Sequence, residues 1–115
     1  MQVVDANVLL YAVNEDAAQH HRARGWLDGA LNGSETVGFA WIVLLAFLRL
    51  ATRPGLFPRP LSVEAATDTL DLWLAQPPAV LLEPTRRHPT VLRDLLTRVG
   101  TGGNLVNDAH LAALA

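Results

Sequence analysis

The chain has 115 residues, half of them hydrophobic, and a formal net charge of −2, a size that allows one small core. All nine basic residues are Arg, with neither Lys nor Cys present, so disulfides, thiolate nucleophiles and Cys zinc sites are excluded and any phosphate contact is a guanidinium. The near-neutral balance argues against a surface built for bulk nucleic-acid binding, and the apolar run from Phe39 to Leu48 is too short to span a bilayer. With no basic leader and cleavage site at the start, the expected compartment is the cytoplasm, with no membrane contact.

A strand over residues 2–4 runs directly into Asp5, and a short helix follows over residues 6–13. Asn14, Glu15 and Asp16 are expected to cap a second helix over residues 17–31, with Trp26, Leu27, Ala30 and Leu31 on its inner face. Asn32-Gly33-Ser34 ends it. A second strand over residues 36–40 leads into a nearly all-apolar helix over residues 41–52, stopped by Pro54-Gly55. Ser62 is the expected N-cap of a helix reaching Gln76. Pro77-Pro78 separates that helix from a third strand over residues 80–82, and Pro89 sits in the first turn of a helix reaching Val99. Gly100-Thr101-Gly102-Gly103 breaks the chain before a last helix over residues 104–115. The β-α-α-β-α-α-β-α-α order implies an α/β fold with a parallel sheet wrapped by helices.

Asp5 stands at the carboxyl end of a strand, where ligands collect in open α/β sheets. An N-cap role, accepting helix N–H bonds, is its structural alternative. Asp108 shares a stripe with Leu105, Leu111 and Ala112 at three- and four-residue spacing, so the carboxylate lies on the apolar side of the last helix. Such a group meets a partner charge or a metal; its structural alternative is a first-turn Asp favoured by the helix dipole. Arg49 and Arg53 are placed to hold phosphate or to cap the end of their helix. Arg86-Arg87-His88 reads as a solvated helix start. His20, His21 and His110 lack ligand spacing and read as surface or supporting residues. Trp26, Trp41 and Trp73 read as packing residues.

With those residues in place, three segments carry a resemblance: Val3-Val4-Asp5-Ala6-Asn7-Val8-Leu9-Leu10-Tyr11, the helix from Trp41 to Thr52, and Asn104 to Ala112. Together, in order and spacing, they resemble the PIN-domain ribonucleases, and within them the VapC toxin group of bacterial toxin–antitoxin pairs. The resemblance implies a three-layer α/β/α sandwich and acids gathered at the strand ends around Mg²⁺ or Mn²⁺. It also implies hydrolysis of RNA phosphodiester bonds, and a cognate antitoxin as partner. Carried over by position, Asp5 and Asp108 are the metal-binding catalytic acids. Asn7 is the polar residue two after the first acid, in a supporting role, and Arg49 is a candidate RNA contact. Excess apolar surface on the helix from Trp41 to Leu50 suggests a second subunit, a homodimer, or an antitoxin helix.

Two departures bear on activity. Many relatives carry a Glu five residues before an Arg in the helix after strand 2, and that register puts Leu44 before Arg49. The chain also stops inside an amphipathic helix, so residues 1–115 read as one PIN-like domain whose C-terminal strands are missing. A dehalogenase-like phosphatase is excluded by Asn7 in place of the second acid and by the absence of Lys. A dinucleotide-binding fold is excluded because Asp5-Ala6-Asn7 occupies the place of the Gly-rich turn. The remaining alternative is a catalytically inactive PIN-like module that binds RNA or an antitoxin.

Overall fold

A computed structural model describes residues 1–55, 57–99 and 105–114, with the side chains of residues 99 and 105–109 outside the description. The elements run β1 (Gln2–Val3), α1 (Ala6–Val13), α2 (His20–Leu31), β2 (Val37–Ala40), α3 (Trp41–Ala51), α4 (Val63–Leu74), β3 (Ala79–Leu82), α5 (His88–Val99) and α6 (Leu105–Leu114). The expected order is therefore present, with boundaries moved by up to three residues; Asn104 and Ala115, the expected ends of the last helix, lie outside the described residues.

The three strands form a parallel sheet in the order β1-β2-β3. Each connection is a pair of helices, and a crossover of that length is what parallel pairing requires. Gln2 pairs with Val37 and Val3 with Gly38 on one side of β2. On the other side Val37 pairs with Ala79 and Ala40 with Leu82. All four β2 residues are buried, as expected for a strand covered on both faces. Gly38 is needed there: a Cβ would come within 2.7 Å of Leu82 Cδ1 and 3.3 Å of Met1 Sδ. Its missing side chain lets Leu82 lie against the central strand.

Val4, Leu9, Leu27, Val37, Phe39, Leu44 and Phe47 are the largest fully buried side chains. Helix α1 packs on α2 and α3, α3 also on α4, and α5 on α6. Ser62 caps α4 as expected, its Oγ accepting from the Ala65 N–H at 3.0 Å. The start of α2 differs. Asn14 Oδ1 accepts from the Asp16 N–H at 3.2 Å, a local Asx turn that delays the helix until Gln19 takes the cap position. On α2, Leu27 and Leu31 turn inward, but Trp26 is 42% exposed and so does not belong to the inner face.

Helix α3 is apolar nearly all round, so its sequence carries little period to orient it. It buries Val43, Leu44, Phe47 and Ala51 and turns Trp41, Leu45 and Arg49 to solvent at four-residue spacing. Trp41, 47% exposed, is therefore not a packing residue. Leu44 is a core residue with no exposed surface, so this position does not face the solvent side of the strand ends.

Leu44→Glu, which would supply an acid at the register expected from relatives, is accordingly expected to cost about 3–5 kcal/mol, because the carboxylate would be buried without a partner. Urea denaturation checks this; unchanged stability together with tighter Mg²⁺ binding would show that position 44 reaches the site.

Candidate active site at the carboxyl ends of the strands

Pairing of β1 with β2 extends past the strand itself, since the Val4 N–H donates to the Gly38 carbonyl at 3.0 Å. Asp5 follows at once and is exposed. It occupies the N-cap position of α1 with extended backbone angles, φ −85° and ψ 148°, yet its side chain makes no capping hydrogen bond. The backbone does that work: the Asp5 carbonyl accepts from the Val8 N–H at 3.2 Å and the Leu9 N–H at 3.5 Å. None of the ion pairs among the described residues involves Asp5. A carboxylate here is favoured by the α1 dipole while its oxygens remain available to a ligand. The capping alternative is not used.

Asn7 is exposed in the first turn of α1. Helix α6 packs on α5 and reaches the core through Leu111 and Leu114. Asp108 precedes Leu111 by three residues on that helix, but its side chain lies outside the described residues, as does any measure of its approach to Asp5. Arg49 and Arg53 are exposed at the end of α3. Arg86 and Arg87 are exposed just before α5, where Thr85 Oγ1 accepts from the Arg87 N–H at 3.3 Å.

Glu83, exposed and one residue past β3, is a second carboxylate on this edge, with no motif in the sequence to mark it. Glu83 and Asp5 follow the two outer strands of the sheet, with β2 between them. Among the described residues no group of three or more His, Asp or Glu side chains is placed to hold a metal. Cavities of about 240 and 180 Å³ lie at the far end of α1, around Val13 and Glu15. Neither borders the strand ends.

The histidines differ most from their sequence reading. His20 is only 6% exposed, and its Nδ1–H donates to the Tyr11 carbonyl at 2.9 Å. A carbonyl can only accept, so this bond fixes a proton on Nδ1. His88 Nε2 and His110 Nδ1 meet at 2.8 Å with the rings edge to face at 81°. The two residues are 22 positions apart, and no local pattern joins them. Of the tryptophans, only Trp73 fits the packing expectation, stacked edge-on against Phe47 at 5.1 Å.

The fold is that of the open parallel α/β proteins, which bind their ligands at the carboxyl ends of the strands, where Asp5 stands unengaged. Comparison narrows the class. The family model described as PIN domain matches residues 3–115. Ribonuclease VapC37 of Mycobacterium tuberculosis is 64% identical over 115 residues, covering 100% of this chain and 80% of that protein. Ribonuclease VapC43 of the same species is 40% identical over 115 residues, covering 100% of this chain and 78% of that protein. Ribonuclease VapC33 is 37% identical over 113 residues, covering 98% and 79% respectively. The chain belongs to the PIN domain family and, within it, to the VapC ribonuclease toxins.

Burial first, and the charge of neighbouring His88 second, hold His110 below the usual histidine value of 6.5. The unfolded chain therefore takes up this proton before the folded one does. The contribution to stability is complete above about pH 6.5 and is lost as pH falls through the lowered folded value. Melting temperature is expected to drop between pH 7.5 and 5, and His110→Gln should flatten that slope. Identical slopes in the two proteins would contradict the assignment.

Proposed function

We propose that this chain is a metal-dependent endoribonuclease, the toxin of a type II toxin–antitoxin pair, in which Asp5 and Asp108 hold Mg²⁺ or Mn²⁺. The observation that carries the reading is Asp5: a carboxylate at a strand end, engaged neither in capping α1 nor in an ion pair among the described residues. The 64% identity to a ribonuclease over the full chain supplies the reaction class. Carboxylate oxygens are hard donors suited to these ions, and Mg²⁺ commonly takes only one or two of them, with water and substrate phosphate oxygens completing its shell. Such an ion, when bound, polarises a phosphoryl oxygen and acidifies a water.

The chain's own residues have distinct tasks. Asp5 and Asp108 fix the ion's place relative to the sheet edge. The Asn7 amide, exposed in the first turn of α1, orients a water by hydrogen bonding. Arg49, exposed on α3, offers a planar donor pair to a backbone phosphate. A cognate antitoxin and a second copy of the chain are the expected protein partners, with Trp41 and Leu45, 47% and 58% exposed, as an apolar surface for one of them. No helix of the described residues is long and apolar enough to cross a membrane, and a cytoplasmic site of action belongs to the proposal.

The alternative of a non-cutting module that binds RNA or an antitoxin has one observation in its favour, the burial of Leu44 at the register where the family resemblance implies an acid. Cleavage decides between them. Asp5→Asn and Asp108→Asn are each expected to lose more than about a hundredfold in RNA cleavage, and Asn7→Ala about 10–100-fold, as outer-shell partners do. EDTA should abolish cutting and Mg²⁺ or Mn²⁺ restore it. Both acid variants should melt at or above the parent temperature, since carboxylates kept for function cost stability. Undiminished cutting by purified Asp5→Asn would refute the proposal.

A further inference from the structure

The loop between β3 and α5 carries two consecutive guanidinium groups, Arg86 and Arg87, both exposed. All three strands run parallel, so this loop and Asp5 leave the sheet at one edge. The strand register makes the placement closer. Val3 pairs with Gly38, which continued by two residues sets Asp5 level with Ala40, and Ala40 pairs with Leu82. Asp5 and the start of the β3–α5 loop therefore stand at the same height on the two outer strands. We propose that Arg86 and Arg87 grip phosphates of the RNA backbone as it runs from the metal site across the end of β2. The proposal rests on RNA being the substrate and on Asp5 marking the point of cleavage.

Within the chain itself the two charges are unfavourably placed. Arg87 directly precedes α5, whose first turn holds no acidic residue, and the helix dipole disfavours cations at that end. The ion pairs among the described residues use the Met1 ammonium, Arg24 and Arg59 as their cations. Glu83, on the same loop, takes part in none of them. Arg98 shows the opposite arrangement, in the last turn of α5, where the dipole favours a cation. Two like charges side by side at the positive end of a helix are a cost that an external anion removes.

The loop backbone is held while both side chains stay available. Thr85 Oγ1 accepts from the Arg87 N–H at 3.3 Å. The Thr85 carbonyl accepts from the His88 N–H, and the Arg87 carbonyl from the Val91 N–H, each at 3.0 Å. Pro84 adds a fixed φ at the entry to the loop. A planar guanidinium offers parallel N–H donors to a phosphate, a contact that positions the strand without reading its sequence. Position selects the anion, since the phosphates beside a bond cut at Asp5 lie along this same edge. In a chain of net charge −2, the grip is local and owes nothing to a generally basic surface.

The test follows the affinity of the Asp5→Asn protein for a fluorescein-labelled single-stranded oligoribonucleotide in EDTA, from about 50 to 200 mM salt. Each phosphate contact to a single strand contributes about −0.7 to the slope of log affinity against log salt. Arg86→Gln and Arg87→Gln are each expected to make that slope shallower by about 0.7 and to weaken binding about fivefold near 0.1 M salt. The double variant should show about twice the slope change and a roughly 25-fold loss, equal for oligonucleotides of different sequence. Arg86→Lys keeps the charge and should keep the slope, and Arg98→Gln, at the far end of α5, should leave it unchanged. The Gln variants at 86 and 87 should melt at or above the parent temperature, since each removes a cation from a helix N-terminus. An unchanged slope in the double variant, or an equal change in Arg98→Gln, would overturn the inference. Loss of a protein partner with RNA affinity intact would also overturn it, and assign the pair to an acidic segment of that partner. Undiminished cleavage by Asp5→Asn would count against the metal site alone, because binding in EDTA does not depend on it.

Discussion

The buried, doubly paired strand β2 is the constraint on which the rest of the molecule depends. Its four residues are all buried and it carries in-register parallel partners on both sides. A slip of one residue against either neighbour would exchange the residues on its two packed faces and set a side chain where Leu82 now lies against Gly38. The register of β1 follows from that of β2, and with it the level at which the chain leaves the sheet. Asp5 is exposed at the edge because Val4, one residue earlier, is still hydrogen-bonded to Gly38 and wholly within the core.

Helix α1 completes the arrangement. It begins at the residue after Asp5, and the backbone carbonyl of Asp5 accepts the first helical N–H bonds. The carboxylate gains from the helix dipole without losing its lone pairs to capping, which leaves it ready for an external cation. At its other end α1 is held to α2 by the buried His20, whose Nδ1–H donates to the Tyr11 carbonyl at 2.9 Å.

The element order was legible because the chain marks its breaks chemically: Asn32-Gly33, Pro54-Gly55 and Ser62 each stand at an observed helix boundary. Asp5 was legible for the same reason, as a charge between an apolar strand and an apolar helix. Orientation was harder to read. Trp26 and Leu27 are neighbours about 100° apart on α2, and the pattern alone does not decide which of them faces inward. Helix α3 has apolar residues on every side, so the burial of Leu44 and the exposure of Leu45 are settled by packing against β2 and α4. His88 and His110 meet only because α5 and α6 pack together, a contact that no spacing rule joins. His20 sits in a polar helix start with no ligand spacing, and nothing local in the sequence marks its burial or its bond to the Tyr11 carbonyl nine residues away.

The central claim is that Asp5 and Asp108 together hold a divalent ion at the carboxyl end of β1. Anomalous scattering from crystals grown with Mn²⁺ tests it most directly. The account requires a peak about 2.0–2.2 Å from an Asp5 carboxylate oxygen, the range for carboxylate bonds to such ions, with an Asp108 oxygen in the same shell. Mn²⁺ bound only elsewhere, or an Asp108 carboxylate turned away from Asp5, would contradict it.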